Sequence, residues 1–242
     1  MRAVLVASTL AVMLAAACSS SKSEPKSTGL GASRTVNPVA ADPANYVSEV
    51  TNQWFPLHRG QTWTYRGEKD GKPAQESVVV TSMTKTILGV ACTEVSDKLY
   101  LDGKLEETTK DWYAQDKQGN VWYFGEDTAE LNPDGSVKTR EGTWTAGVDG
   151  AKAGIYITAQ PQFGVDYLQE YYKGQAEDHF VAKRTGVSVT VPGGTFSTLE
   201  TQEYTPLEPD VIDHKYYAPG VGVVKEASSS GDERTELVSY TR

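Results

Sequence analysis

Three histidines, two cysteines and three methionines are all that this chain of 242 residues contains. His58, His179 and His214 stand far apart, in no zinc-ligand spacing. There is no Gly-x-Ser-x-Gly elbow and no His-Glu-x-x-His helix motif, and Cys92 has no histidine at a recognisable spacing. The commonest nucleophile and zinc chemistries are therefore without a sequence signature. Helical periodicity is missing as well, since no stretch of about 12 residues repeats apolar positions every three to four. A basic excess is also lacking, with 23 Lys and Arg against 32 Asp and Glu. Removing Arg2 with a cleaved leader leaves 22 basic against 32 acidic residues, a net charge of about -10. That balance argues against nucleic acid and against wide contact with anionic lipid.

The N-terminus is where the sequence is most specific. Met1 and Arg2 precede an apolar run over 3–14, then Ala15, Ala16 and Ala17, then Cys18 and the polar stretch 19–23. This resembles a bacterial lipoprotein signal, cut just before Cys18 so that the cysteine becomes lipidated. It departs from the usual pattern in having Leu14 four residues before the cysteine and Ala15 three before it; an ordinary secretory signal is the alternative. Either way, 1–17 is read as a signal peptide, too short to span a bilayer in the mature protein. The lipoprotein reading implies an extracytoplasmic protein held at the cell envelope, periplasmic or at the outer surface, whose partner is the bilayer that receives the anchor. Residues 18–41 are rich in Ser, Pro, Gly and Ala and read as a flexible tether. A single all-β domain is expected over 42–242. With Cys18 lipidated, Cys92 has no partner for an internal disulfide and reads as a small buried hydrophobe beside Val90 and Val95.

Asp42-Pro43 is a helix-opening signal and predicts a short helix to about Val50. From there, β-branched and aromatic runs alternate with Asp-Gly and Gly-Asn turns. Strands are expected at 60–66, 75–88, 90–101, 104–113, 121–131 and 136–146. A glycine-rich loop over 147–164 follows, with a short segment at 155–157. Further strands are expected at 167–172, 177–183, 187–191, 196–203, 214–217, 222–227 and 234–240. Short hairpin loops make this an antiparallel meander, and so many strands must curl. The expected fold is all-β, a large antiparallel meander forming a strongly curved open or partly closed barrel, with a β-sandwich as the alternative. Pairing across the Gly119 turn would put Trp112, Ala114, Trp122 and Phe124 on one face and Tyr113 and Tyr123 on the other.

Five segments resemble a widespread family of bacterial secreted proteins and lipoproteins with no assigned activity. They are 52–65 (NQWFPL, then GQTWTY), 111–126 (DWYAQDKQGNVWYFGE), 142–151 (GTWTAGVDGA), 191–196 (VPGGTF) and 215–225 (KYYAPGVGVVK), of which the second and last are the most specific. The resemblance implies an exported all-β domain.

Three kinds of site are open. Asp111, Asp116, Glu126 and Asp127 lie around one hairpin and Asp149 in the glycine-rich loop; together they are the candidate oxygen ligands for calcium, the alternative to a protein without a cofactor. Paired carboxylates such as Asp116 and Glu126 could act on a glycan, whereas Glu177 and Asp178 are adjacent and point to opposite faces. Trp112, Tyr113, Trp122, Tyr123, Trp144, Tyr171 and Tyr172 are candidates for contact with a lipid, glycan or peptide. A glycan platform requires exposed rings, and a structural envelope protein requires rings packed on one another. The leading expectation is non-catalytic binding of an apolar or amphipathic ligand; a structural or partner-binding envelope protein and a glycan-active hydrolase are the alternatives.

Overall fold

The structure, a computed structural model, describes residues 35–36 and 41–241. Cys18, the leader and most of the expected tether lie outside the described residues. The strands are β1 (Thr35–Val36), β2 (Tyr46–Val47), β3 (Thr62–Lys69), β4 (Lys72–Ile87), β5 (Val90–Leu101), β6 (Lys104–Asp116) and β7 (Val121–Leu131). Short strands β8 (Val137–Thr139), β9 (Trp144–Thr145), β10 (Lys152–Ile157), β11 (Asp166–Leu168) and β12 (Glu170–Tyr171) follow. Then come β13 (His179–Val191), β14 (Gly194–Tyr204), β15 (Ile212–Ala218), β16 (Gly222–Ser228) and β17 (Arg234–Tyr240).

Local chemistry makes the hairpins. Asp70-Gly71, Leu88-Gly89 and Asp102-Gly103 each place two successive residues at positive φ, which matches the twist of the flanking strands. The meander β3 to β7 pairs sequentially, as does β13 to β17, and β17 returns to pair with β3. On the other side β7 pairs with β10, β10 with β12, and β11 with β13. The result is a nearly closed, almost wholly antiparallel barrel of 13 strands covering 319° round its axis, with a small unsealed seam. The expected barrel thus holds over the alternative sandwich. The β10–β12 pairing spans only Lys152↔Tyr171 and Ala153↔Glu170. Beside it, a Cβ on Gly154 would lie 2.3 Å from the backbone of Gln169, so only glycine admits this approach.

Several strand limits differ from expectation. The helix expected to Val50 is one 3-10 turn, Pro43–Asn45. Asp42 does cap it, accepting from the Ala44 amide at 3.0 Å, but Tyr46–Val47 leaves to pair with Gln115 and Asp116 on β6. The strand expected over 136–146 is broken into β8 and β9, with a turn between. Conversely, the runs 177–183 and 187–191 are one strand, β13, which passes Gly186 with register shifts between Ala182 and Arg184 and between Thr185 and Val187. Within the expected tether, Thr35–Val36 pairs in parallel with Asp166–Tyr167. The Thr35 hydroxyl donates to Asp166 Oδ2 at 2.7 Å.

Both faces of β6 and β7 are covered. The segment 41–57 crosses the outer face, where Tyr46 packs edge-on to Phe124 and Trp122 at 5.4 and 6.2 Å. It then enters the interior with Phe55, whose ring lies 5.1 Å from Tyr113.

Candidate functional site

Alternation along paired strands sends every second residue inward. On β4 to β7 that inner set includes a row of carboxyls. Asp97 pairs with Val78 and so sits one diagonal step from Glu76. Asp111 pairs with Val95, one diagonal step from Asp97, and Glu126 stands directly opposite Asp111. These four residues, one from each of four neighbouring strands, are each 1% exposed. Alongside them Glu107 faces Glu130. The Thr109 hydroxyl donates to Glu107 Oε1 at 3.3 Å, and the Thr128 hydroxyl to Glu126 Oε2 at 3.1 Å.

Among the described residues, the opposite wall holds one buried lysine. Lys215 on β15 pairs across to Thr201 on β14 and Glu226 on β16. Its Nζ lies 2.7 Å from Glu203 Oε2 and 3.7 Å from Glu226 Oε1, and the Tyr217 hydroxyl donates to Glu203 Oε1 at 3.1 Å. Burial works against the charge of Lys215. The carboxylates of Glu203 and Glu226 outweigh it and hold the ammonium well above its ordinary pKa.

Aromatic rings fill the end of the interior near this row. Tyr113 and Tyr123 stack at 4.8 Å. Tyr156 and Phe55 pack on Tyr113, and Trp144 meets Tyr123 edge-on at 5.3 Å. The Tyr123 hydroxyl donates to Asp111 Oδ1 at 2.7 Å. The Tyr113 hydroxyl is fully buried and has no hydrogen-bond partner.

Burial dominates the electrostatics. It pushes the Asp97 carboxyl well above its usual range, and the adjacent Glu76 adds to the shift by its charge and a hydrogen bond. Burial raises Asp111 too, against the opposing bond from Tyr123. Glu107 is raised by burial to about 7, restrained by Lys69 and Thr109. Glu226 is raised by burial despite Lys215. Among the described residues, 13 acidic side chains are buried against two lysines, so a good part of the acidity of the composition is shielded from solvent.

The residues singled out in the sequence fall into separate places. Tyr113, Tyr123 and Trp144 meet in the interior. Trp112 and Trp122 are on the outer face: Lys85 Nζ sits 3.2 Å above the Trp112 ring, and the Trp122 indole donates to Asp116 Oδ2 at 2.9 Å. Tyr171, half-buried, lies beside Lys152, and Tyr172 belongs to the following turn. The exposed aromatic platform that a glycan would need is not formed by these rings, since the first five are buried.

The proposed calcium ligands do not converge either. Asp111 and Glu126 face each other, but Asp116 is consumed by the turn, accepting from the amides of Gln118 and Asn120, from Asn120 Nδ2 and from Trp122. Asp127 pairs with Arg140 on the outside, and Asp149 occupies a positive-φ turn. Among the described residues no three His, Cys, Asp or Glu side chains form a group that could hold a metal. The same engagement of Asp116 removes it as a partner for Glu126 in acid–base work.

Glu76, Asp97, Glu107, Glu203, Glu226, Lys215 and Tyr156 are among the interior residues that sequence reasoning missed. A signal was present: Glu76 has the parity of Val78 and Val80, and Asp97 that of Val95 and Leu99, so each acid sits in phase with the buried positions of its strand.

The fold and this interior define an all-β barrel with an acidic, tyrosine-rich lining. Among the described residues no helix is long and apolar enough to cross a membrane. No family model matches the chain, and no curated protein matches it. A solved structure, that of a "putative lipoprotein" from Parabacteroides distasonis ATCC 8503, is similar at 13% identity with a TM-score of 0.42, over 78% of this chain and 99% of that one. A likeness at that level carries no argument about function.

Proposed function

We propose that the protein is a membrane-anchored, extracytoplasmic binding protein whose barrel holds an amphipathic small molecule without transforming it. The carrying observation is the composition of the interior, where stacked tyrosines adjoin a row of buried carboxyls. The anchoring part rests on Cys18 behind its apolar leader. The family resemblance adds support of its own kind. Its two most specific segments, 111–126 and 215–225, lie on β6–β7 and β15–β16, which contribute Asp111, Tyr113, Tyr123, Glu126, Lys215 and Tyr217 to the interior. A barrel of about eight strands is just filled by its own side chains, and 13 strands make a wider one.

Native mass spectrometry of the full chain, purified gently from a bacterial envelope, tests this reading. A mass excess that is lost on denaturation is expected. The same mass under native and denaturing conditions, with or without covalent lipid on Cys18, contradicts the binding role and favours the second reading, a structural or partner-binding envelope protein, for which the mutual packing of Phe55, Tyr113, Tyr123, Trp144 and Tyr156 speaks.

A further inference from the structure

The turns of the meander differ between the two ends of the barrel. Antiparallel hairpins turn alternately at one end and the other. Asp70-Gly71, Asp102-Gly103 and Asp134-Gly135 therefore share one end, while Leu88-Gly89 and the turn at Gly119 share the other. Asp70, Leu88 and Asp102 hold nearly the same left-handed backbone, with φ of 53, 51 and 50°. Aspartate tolerates that conformation, whereas leucine meets steric resistance there. Leu88 is also 48% exposed, so burial does not account for its presence. It has apolar company. A Cβ on Gly147 would lie 2.5 Å from Leu88 Cδ2, which brings Leu88 against the loop that carries Val148, itself 53% exposed. A Cβ on Gly89 would lie 2.9 Å from Cγ of the exposed Pro43. Val47, also exposed, pairs with Gln115 close to the Gly119 turn.

We infer that this end of the barrel is a bilayer-contact surface, which sets Leu88 and Val148 into the boundary between lipid headgroups and acyl chains. The inference rests on the lipid anchor at Cys18 proposed above and gives the anchored barrel an orientation. The path of the chain selects the occupant. Thr35–Val36 lies along β11, and the seven residues from Val36 to Pro43, at most about 25 Å of extended chain, lead to the Leu88 turn. Upstream, 17 residues take Thr35 back to Cys18, at most about 60 Å. An anchor at Cys18 therefore keeps the barrel within reach of the membrane surface, and the difference between its ends decides which one meets the lipid. Leucine and valine gain by leaving water for the acyl boundary, as on helices that lie in the interface. The three Asp-Gly turns at the far end would lose hydration there. Around the apolar tips Asp42, Lys117 and Asp149 are exposed and of mixed sign. The contact thus calls for zwitterionic lipid rather than anionic lipid, in keeping with the acidic balance of the chain.

Fluorescence of the full lipidated chain in phosphatidylcholine vesicles with brominated acyl chains is the test. Leu88→Cys, Val148→Cys and Asp102→Cys each receive an environment-sensitive dye. Cys92 does not compete for the dye, because it is buried and burial pushes its thiol up to about 12. Quenching by the brominated chains is expected at positions 88 and 148 and not at 102. Leu88→Asp introduces the residue that the matching turns carry, so it is expected to fold and to abolish the quenching of a dye on Val148→Cys. Should Leu88→Cys fail to fold, Val148→Cys against Asp102→Cys still decides. Equal quenching at the two ends, or quenching at neither while the protein floats with the vesicles, would overturn the orientation and leave the anchor standing. A protein that does not float with the vesicles would overturn both.

Discussion

The protein is expected to be markedly more stable at pH 5 than at pH 8, the reverse of what salt-bridged carboxylates usually give. The sign follows from the raised carboxyls. Glu107 has an ordinary pKa of 4.5 and reaches about 7 in the fold. Below 4.5 it is protonated in folded and unfolded chains alike, and its burial costs little. Between 4.5 and 7 the unfolded chain ionises while the folded one keeps its proton, so stability falls as pH rises; above 7 the loss is complete and level. At about 1.4 kcal/mol per unit, Glu107 alone accounts for roughly 3 kcal/mol. The groups that face it are Lys69 from β3, Glu76 from β4, Thr109 on its own strand and Glu130 from β7. Asp97, Asp111, Asp178 and Glu226 are shifted in the same direction by burial. A fall in melting temperature of about 8 °C or more between pH 5 and pH 8 is therefore expected, at 2–4 °C per kcal/mol for a domain of this size. Thermal unfolding followed by circular dichroism across that range checks it. A flat profile, or greater stability at pH 8, would show that the interior acids are ionised and solvated.

The second large effect belongs to Lys215. Replacing it by methionine keeps most of the side-chain volume but leaves Glu203 and Glu226 buried without their counter-ion. Breaking a buried pair from one side costs about 3–5 kcal/mol. The loss should be greatest at pH 8, where Glu226, raised by burial, must ionise or draw a proton from dilute solution. It should shrink at pH 5, where protonation of Glu226 removes part of the uncompensated charge. Denaturant titration of Lys215→Met at the two pH values measures both numbers. An equal loss at both would assign the effect to packing alone.

These expectations could not be drawn from composition, and the reason is physical. A count of 32 acidic residues says nothing about which face of a strand each occupies, so it reads as surface charge. Only the phase relation of Glu76 to Val78, or of Asp97 to Leu99, carries the inward direction, and it conflicts with the ordinary cost of burying an acid. The fold was more legible. β5 and β7 have the limits that their bounding turns dictate, because Asp102-Gly103 and Gly119-Asn120 end the runs chemically. The helix expected after Asp42 failed for the opposite reason. Its opening signal was genuine, but nothing downstream sustained it against the open edge of β6, which took Tyr46 and Val47 instead. Gly186 misled in the other direction, since a bulge lets β13 continue where a glycine usually marks a break. In the site, the pairing of Tyr113 with Tyr123 follows from hairpin register. Their company with Tyr156 and Phe55 depends on closure between distant strands and has no local signal.

The central claim is that burial holds the Asp97 and Asp111 carboxyls of the interior row well above the usual carboxylate range. Infrared spectroscopy of the protein at pH 7 reads this directly, because a protonated carboxyl and a carboxylate absorb at separate frequencies. The account predicts a protonated-carboxyl band at pH 7 that loses intensity in Asp97→Asn. Absence of that band at pH 7 in the ligand-free protein would contradict it.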